Sequence, residues 1–135
     1  MSSSLTQAIR KFVASRASFR CEYCRKPEII ANFTFHIEHI ISRQHGGTDK
    51  IDNLAYACSW CNWKKGPNIA TVLFEDGDLL PLFNPRKDVW DHHFQVEEGA
   101  IIGKTDIAVG TIKLLELNTT ELILERKALH NAGFF

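Results

Sequence analysis

The sequence predicts an α+β protein, and three observations carry that prediction. Apolar residues recur at helical spacing near the N-terminus, apolar and polar residues alternate from Phe33 onward, and two Cys-x-x-Cys pairs bracket the alternating stretch. A chain of 135 residues, 44% hydrophobic and 24% charged, suits one globular domain with one core. Residues 1–135 are therefore read as a single domain, with a motif-bearing core over 21–66 and a scaffold extension over 67–135.

Leu5, Ala8, Ile9, Phe12, Val13 and Ala17 fall on one helical face, so an amphipathic helix is expected from 5 to about 17, with Ser4 available as N-cap. Phe33, Phe35 and Ile37 then alternate with Thr34, His36 and Glu38, the period of a half-buried strand, which puts His36 and Glu38 together on its polar face. That strand should stop near Glu38 if Glu38 and His39 are to serve one site, because adjacent strand residues point to opposite faces. Ser42 to Asp52, with Gly46 and Gly47, reads as a polar loop, and Leu54–Ala57 as a short return strand. Asn62 to Lys65 fits a short helix stopped by Gly66-Pro67.

Further on, Val72–Phe74 and Leu79–Phe83 flank Asp76-Gly77 as a hairpin, and Phe94 to Lys104 forms a second one through Glu98-Gly99. Ile107–Leu117 and Thr120–His130 are helical, with Asn118-Thr119 placed to cap the second. Asp91, His92 and His93 sit between Trp90 and Phe94, which favours a surface-to-core helical turn over a second metal site.

The zero net charge hides an asymmetry: residues 1–66 carry ten Lys and Arg against five Asp and Glu (+5), residues 67–135 six against eleven (−5). Arg10, Lys11, Arg16, Arg20, Arg25, Lys26, Lys64 and Lys65 surround the cysteines, so local phosphate contact is expected without strong long-range attraction. No run of about 18 apolar residues occurs, and the N-terminus lacks a secretory apolar stretch. The expectation is a soluble, cytoplasmic protein with no membrane partner. In a reducing compartment Cys21, Cys24, Cys58 and Cys61 serve a metal rather than disulfides. Four thiolates close a tetrahedral shell around Zn²⁺, leaving no open position, so this zinc is structural. A redox or metal-storage reading explains the cysteines but leaves the histidines between them without a purpose.

The order CEYC, FHIEHI, GGTDKIDNL, CSWCNWKKG resembles the HNH endonuclease family, whose fold is the ββα-metal or His-Me finger, over residues 21–66. The tail from Leu82-Phe-Asn-Pro-Arg86 is similar to the extension of small stand-alone members. The resemblance implies a ββα-metal HNH core preceded by the N-terminal helix and followed by the hairpins and C-terminal helices. It implies His39 as the general base, Glu38 and Asn62 as holders of a catalytic Mg²⁺ or Mn²⁺, and Asn53 as the tie across the long loop that orients His39. His36 is a further catalytic candidate, and Lys64, Lys65, Arg43 and His45 are candidates for nucleic-acid contact. Glu38 stands where Asp is more usual, Asn62 replaces a histidine, and Ser42 takes a position where Pro is frequent. The chemistry is coherent: an imidazole, with an ordinary pKa of about 6.5, accepts a proton near neutral pH while a cation neutralises the attacked phosphate. The expected activity is hydrolysis of DNA phosphodiesters, and a homodimer would ease a double-strand cut. The alternative is a catalytically idle zinc module that binds nucleic acid or protein.

Overall fold

The computed structural model describes residues 5–135, and the described chain divides into two compact units. One comprises the residues up to Ile69 together with Asn84–Lys87, the other Ala70–Phe83 and Asp88–Phe135. The secondary structure is mixed, with three separate two-stranded antiparallel sheets and five α-helices among the described residues.

In the first unit α1 spans Gln7–Arg16. Its N-cap is Thr6, whose hydroxyl accepts from Ile9 N at 3.1 Å; Ser4, the expected cap, lies outside the described residues. Val13, Ala14 and Ala17 are buried, and α1 packs against β2. Strands β1 (His36–His39) and β2 (Leu54–Ala57) pair antiparallel from His36↔Ala57 to His39↔Leu54. Helix α2 (Ser59–Lys65) packs on both strands and ends at Gly66, whose positive φ of 51° a glycine adopts without strain.

The alternation from Phe33 overstates the strand. Phe33 is 65% exposed and precedes the ladder, and Glu38 is only 5% exposed. His36 and Glu38 do share a face, but it is exposed at His36 and closed at Glu38, where Lys65 of α2 covers the carboxylate, so the contrast on which a period-two reading relies is lost along a single strand. The strand also runs on through His39, so Glu38 and His39 point to opposite sides.

The segment between the strands folds back on itself. Ile40 N donates to Asn53 O at 2.9 Å, and 3₁₀ turns form at Arg43–His45 and Ile51–Asn53. Gly47 is required here because a Cβ would stand 1.6 Å from the Ile41 carbonyl oxygen and 2.9 Å from Asn53 Nδ2. Gly47→Ala should therefore cost about 3 kcal/mol or more, read as a lowered denaturation midpoint. A midpoint equal to wild type would mean the loop does not close this way.

Two arginines hold the start of β2. Arg16 donates to Ile51 O (3.0 Å) and Leu54 O (2.7 Å); Arg86 donates to Leu54 O (3.2 Å) and pairs with Glu22. Arg16 thus leaves the set of freely presented surface cations, and burial, with Arg86 nearby, lowers its pKa.

In the second unit β3 (Ala70–Val72) pairs with β4 (Leu79–Pro81), two residues earlier on its first strand than the sequence suggests, with Phe74 68% exposed in the turn. A four-residue helix, α3 (Trp90–His93), leads into β5 (Phe94–Glu97), which pairs with β6 (Ala100–Gly103). Glu98 and Gly99 both have positive φ, 49° and 84°, which is the two-residue turn whose twist suits a hairpin. His93 is held by the Thr105 hydroxyl at 2.7 Å and by ring contacts with Phe83 and Phe94, a structural role. Helices α4 (Asp106–Leu115) and α5 (Thr120–Asn131) follow. Thr119 alone caps α5, while Asn118 instead bonds the N–H and C=O of Ile101 at 2.9 and 2.8 Å. Among the described residues no helix is long and apolar enough to cross a membrane.

Candidate functional site

Cys21 and Cys24 precede β1, and Cys58 and Cys61 begin α2, so the hairpin and the helix bring the two pairs together. The four sulfurs are buried and lie within 4.8 Å of one another, positioned to hold a metal ion. The Sγ atoms of Cys24 and Cys58 are 3.7 Å apart. A tetrahedral zinc with Zn–S bonds of about 2.3 Å requires about 3.8 Å between sulfurs, whereas a disulfide requires about 2.05 Å. All four cysteines are free, so the residues fit the metal and not the cross-link. Backbone N–H groups of Cys24 and Cys61 point at the first sulfur of each pair, at 3.5 and 3.4 Å, which stabilises thiolate there. Hydrogen bonding with Cys21 pushes the Cys24 and Cys61 thiols up, while bonds from Cys21, Cys24 and Cys61 pull Cys58 down. Cation binding must therefore release protons, so metal affinity falls as pH falls.

Beyond the knuckles, His39 closes β1 and is half-buried. Its Nε2 lies 2.7 Å from Asp49 Oδ1, and an Arg43 Nη nitrogen lies 2.7 Å from each Asp49 oxygen. An ionised Asp can only accept, so this contact selects the tautomer of a neutral imidazole that carries its proton on Nε2 and its lone pair on Nδ1. Asn53 makes three bonds across the loop: Oδ1 accepts from Ile41 N (2.9 Å), and Nδ2 donates to Ile41 O (2.9 Å) and Thr48 O (2.8 Å). It thus fixes both ends of the segment that carries Asp49.

Glu38 has the opposite surroundings. Oε1 accepts from the Tyr23 hydroxyl at 2.6 Å, and Oε2 lies 2.5 Å from Lys65 Nζ. That last contact is an ion pair between two buried groups. Lys65 itself is 1% exposed and donates to Ile40 O (2.9 Å) and His39 O (3.3 Å). Burial raises the Glu38 pKa and Lys65 partly offsets the rise; burial and Glu38 together push Tyr23 well up.

Two expectations change as a result. Lys65 cannot contact a nucleic-acid backbone, because its ammonium is committed to a buried carboxylate and two carbonyls. Glu38 does not fit a divalent cation in this arrangement, because its charge is already balanced and a second cation would stand against that ammonium. Asn62 lies three residues before Lys65 on α2 and is half-buried. His36 is not brought to His39. It stands on the other face of β1, with Nε2 3.0 Å from the Ser59 hydroxyl at the start of α2. Arg43 is half-exposed and engaged by Asp49, His45 is exposed in the loop, and Lys64 Nζ lies over the rings of Trp60 and Trp63.

Breaking the buried pair gives a direct check. Lys65→Met leaves a carboxylate buried without its counter-charge and should cost about 3–5 kcal/mol, whereas Glu38→Gln with Lys65→Met should recover most of that loss in denaturant titrations. Additive losses in the double variant would show that the two groups do not compensate each other.

Sequence reasoning missed Asp49, Arg86 and the Glu38–Lys65 pairing. The fourth residue of Gly-Gly-x-Asp was a usable signal for Asp49; the partners of the other three lie 64 and 27 residues away and left no local signal.

Residues 21–68 match the family model described as HNH endonuclease, a stretch that contains both knuckles, the β1–β2 hairpin and α2. Comparison with curated proteins and with solved structures gave no match. The matched stretch, with its cysteines placed to bind a metal, is the same one whose order of motifs resembles that family.

Proposed function

We propose that the first unit is an HNH endonuclease of the ββα-metal type, built from β1, β2 and α2, which hydrolyses DNA phosphodiester bonds. The observation that carries the reading is the His39–Asp49–Arg43 chain inside the segment that matches the HNH family. With Nε2 held by Asp49, His39 Nδ1 takes a proton from water as the water oxygen bonds to phosphorus. The bond from phosphorus to the leaving sugar oxygen breaks, and that oxygen is protonated from solvent. Asp49 then faces an imidazolium and stabilises it, as an orienting carboxylate does in other acid-base sites.

Members of this family are implied to use a divalent cation. Tyr23 and Lys65 close Glu38 to such an ion, so Asn62 alone of the two expected ligands stays accessible. A second reading, a zinc-binding interaction module without chemistry, is favoured by the same closure of Glu38. Supercoiled, linear and branched DNA incubated with the zinc-loaded protein, with and without Mg²⁺ or Mn²⁺, separates the two. Cation-dependent nicking or linearisation supports the nuclease; binding with no cutting of any substrate under any cation supports the module.

A further inference from the structure

Helix α2 presents a feature that neither the metal centre nor His39 uses. Cys61 and Lys65 mark its buried side, and Trp63, on the opposite side, is 71% exposed. The Trp63 ring meets Trp60 edge-on, with centroids 6.3 Å apart and planes at 74°. Lys64 Nζ lies 4.6 Å from the Trp63 centroid and 5.0 Å from that of Trp60. Two indoles and an ammonium are thus gathered on one exposed helix face, and the lysine makes a purely apolar partner a poor fit, because its ammonium would be desolvated.

A nucleotide offers both complementary parts, a π-face for the indole and a phosphate for the ammonium. In a duplex the base faces are covered by stacking; in a single strand they are free. We infer that Trp60, Trp63 and Lys64 form a platform for one unpaired nucleotide of a single-stranded nucleic acid, its base stacked on Trp63 and its phosphate against Lys64. The inference names a substrate class for the proposed nuclease and rests on that reading for its purpose, since Asn62 precedes Trp63 on the same helix. The platform would favour frayed, branched or single-stranded segments over continuous duplex.

The test uses full-length zinc-loaded protein in a His39→Ala background, so that no probe is consumed. Fluorescence anisotropy would compare a labelled single-stranded DNA, the same strand as RNA, the same strand in a duplex, and a single strand of abasic sites. Single strands with bases should bind about tenfold more tightly than the abasic strand, Trp63→Ala should remove that advantage, and Trp63→Phe should keep part of it. Lys64→Glu should weaken every probe and flatten the salt dependence. The inference is overturned if Trp63→Ala leaves the ratio of base-bearing to abasic binding unchanged. It is also overturned if the wild type self-associates in sedimentation and Trp63→Ala abolishes that, which would make the patch a contact with a second copy. Cleavage by the His39-containing protein is scored separately, so intact cutting without base preference defeats this inference alone, and base preference without cutting defeats the nuclease reading alone.

Discussion

His39→Ala is expected to fold, to keep its metal and to bind DNA, while cutting about 10²-fold or more slowly than wild type, the scale of losing a positioned base. The geometry makes a sharper companion prediction for Asp49. Asp49→Asn can turn its NH₂ toward His39 Nε2, which forces the proton to Nδ1 and removes the lone pair that the reaction needs. It should therefore cost tenfold or more in rate without loss of stability, and ¹⁵N shifts of the imidazole should report the exchanged tautomer. Arg43→Ala should act more weakly, through looser placement of Asp49. Cleavage by a well-folded His39→Ala protein at the wild-type rate would reject the base, and an unchanged tautomer in Asp49→Asn would reject the orienting role.

The second large effect concerns the cysteine centre. One zinc per chain is expected, and chelation or Cys58→Ser should unfold the first unit. Binding of structural zinc in small modules is worth on the order of 10 kcal/mol or more, as large as the stability margin of a typical domain. The sulfurs join the segment before β1 to the first turn of α2, so their loss frees the helix that carries Asn62 and Lys65. Chelator titrations followed by circular dichroism, with zinc measured in the same samples, give the readout. Folded protein without zinc, or a disulfide between Cys21 and Cys24, would refute the assignment.

Local sequence determined a good deal here. The two Cys-x-x-Cys spacings defined a four-sulfur centre, because each pair needs only a tight turn to aim both sulfurs at one point. Glu98-Gly99 specified its hairpin, since positive φ at both positions is chemistry of the turn itself, and Thr119 its helix cap. The resemblance implied Asn53 as a tie across the long loop, and in the structure its amide makes three bonds to Ile41 and Thr48.

What only the tertiary structure decided was the state of each charged group. Lys64 and Lys65 are adjacent and chemically alike in sequence, yet α2 turns one toward two indoles and the other into a buried ion pair. Glu38 read as a polar-face residue until α2 covered that face, and Arg16 read as a surface cation until the backbone of Ile51 and Leu54 claimed it. Composition and spacing fix which groups are available along the chain. Which of them meet water, a counter-charge or a carbonyl depends on packing between segments far apart in sequence, and the desolvation of a charge is settled only when that packing is complete.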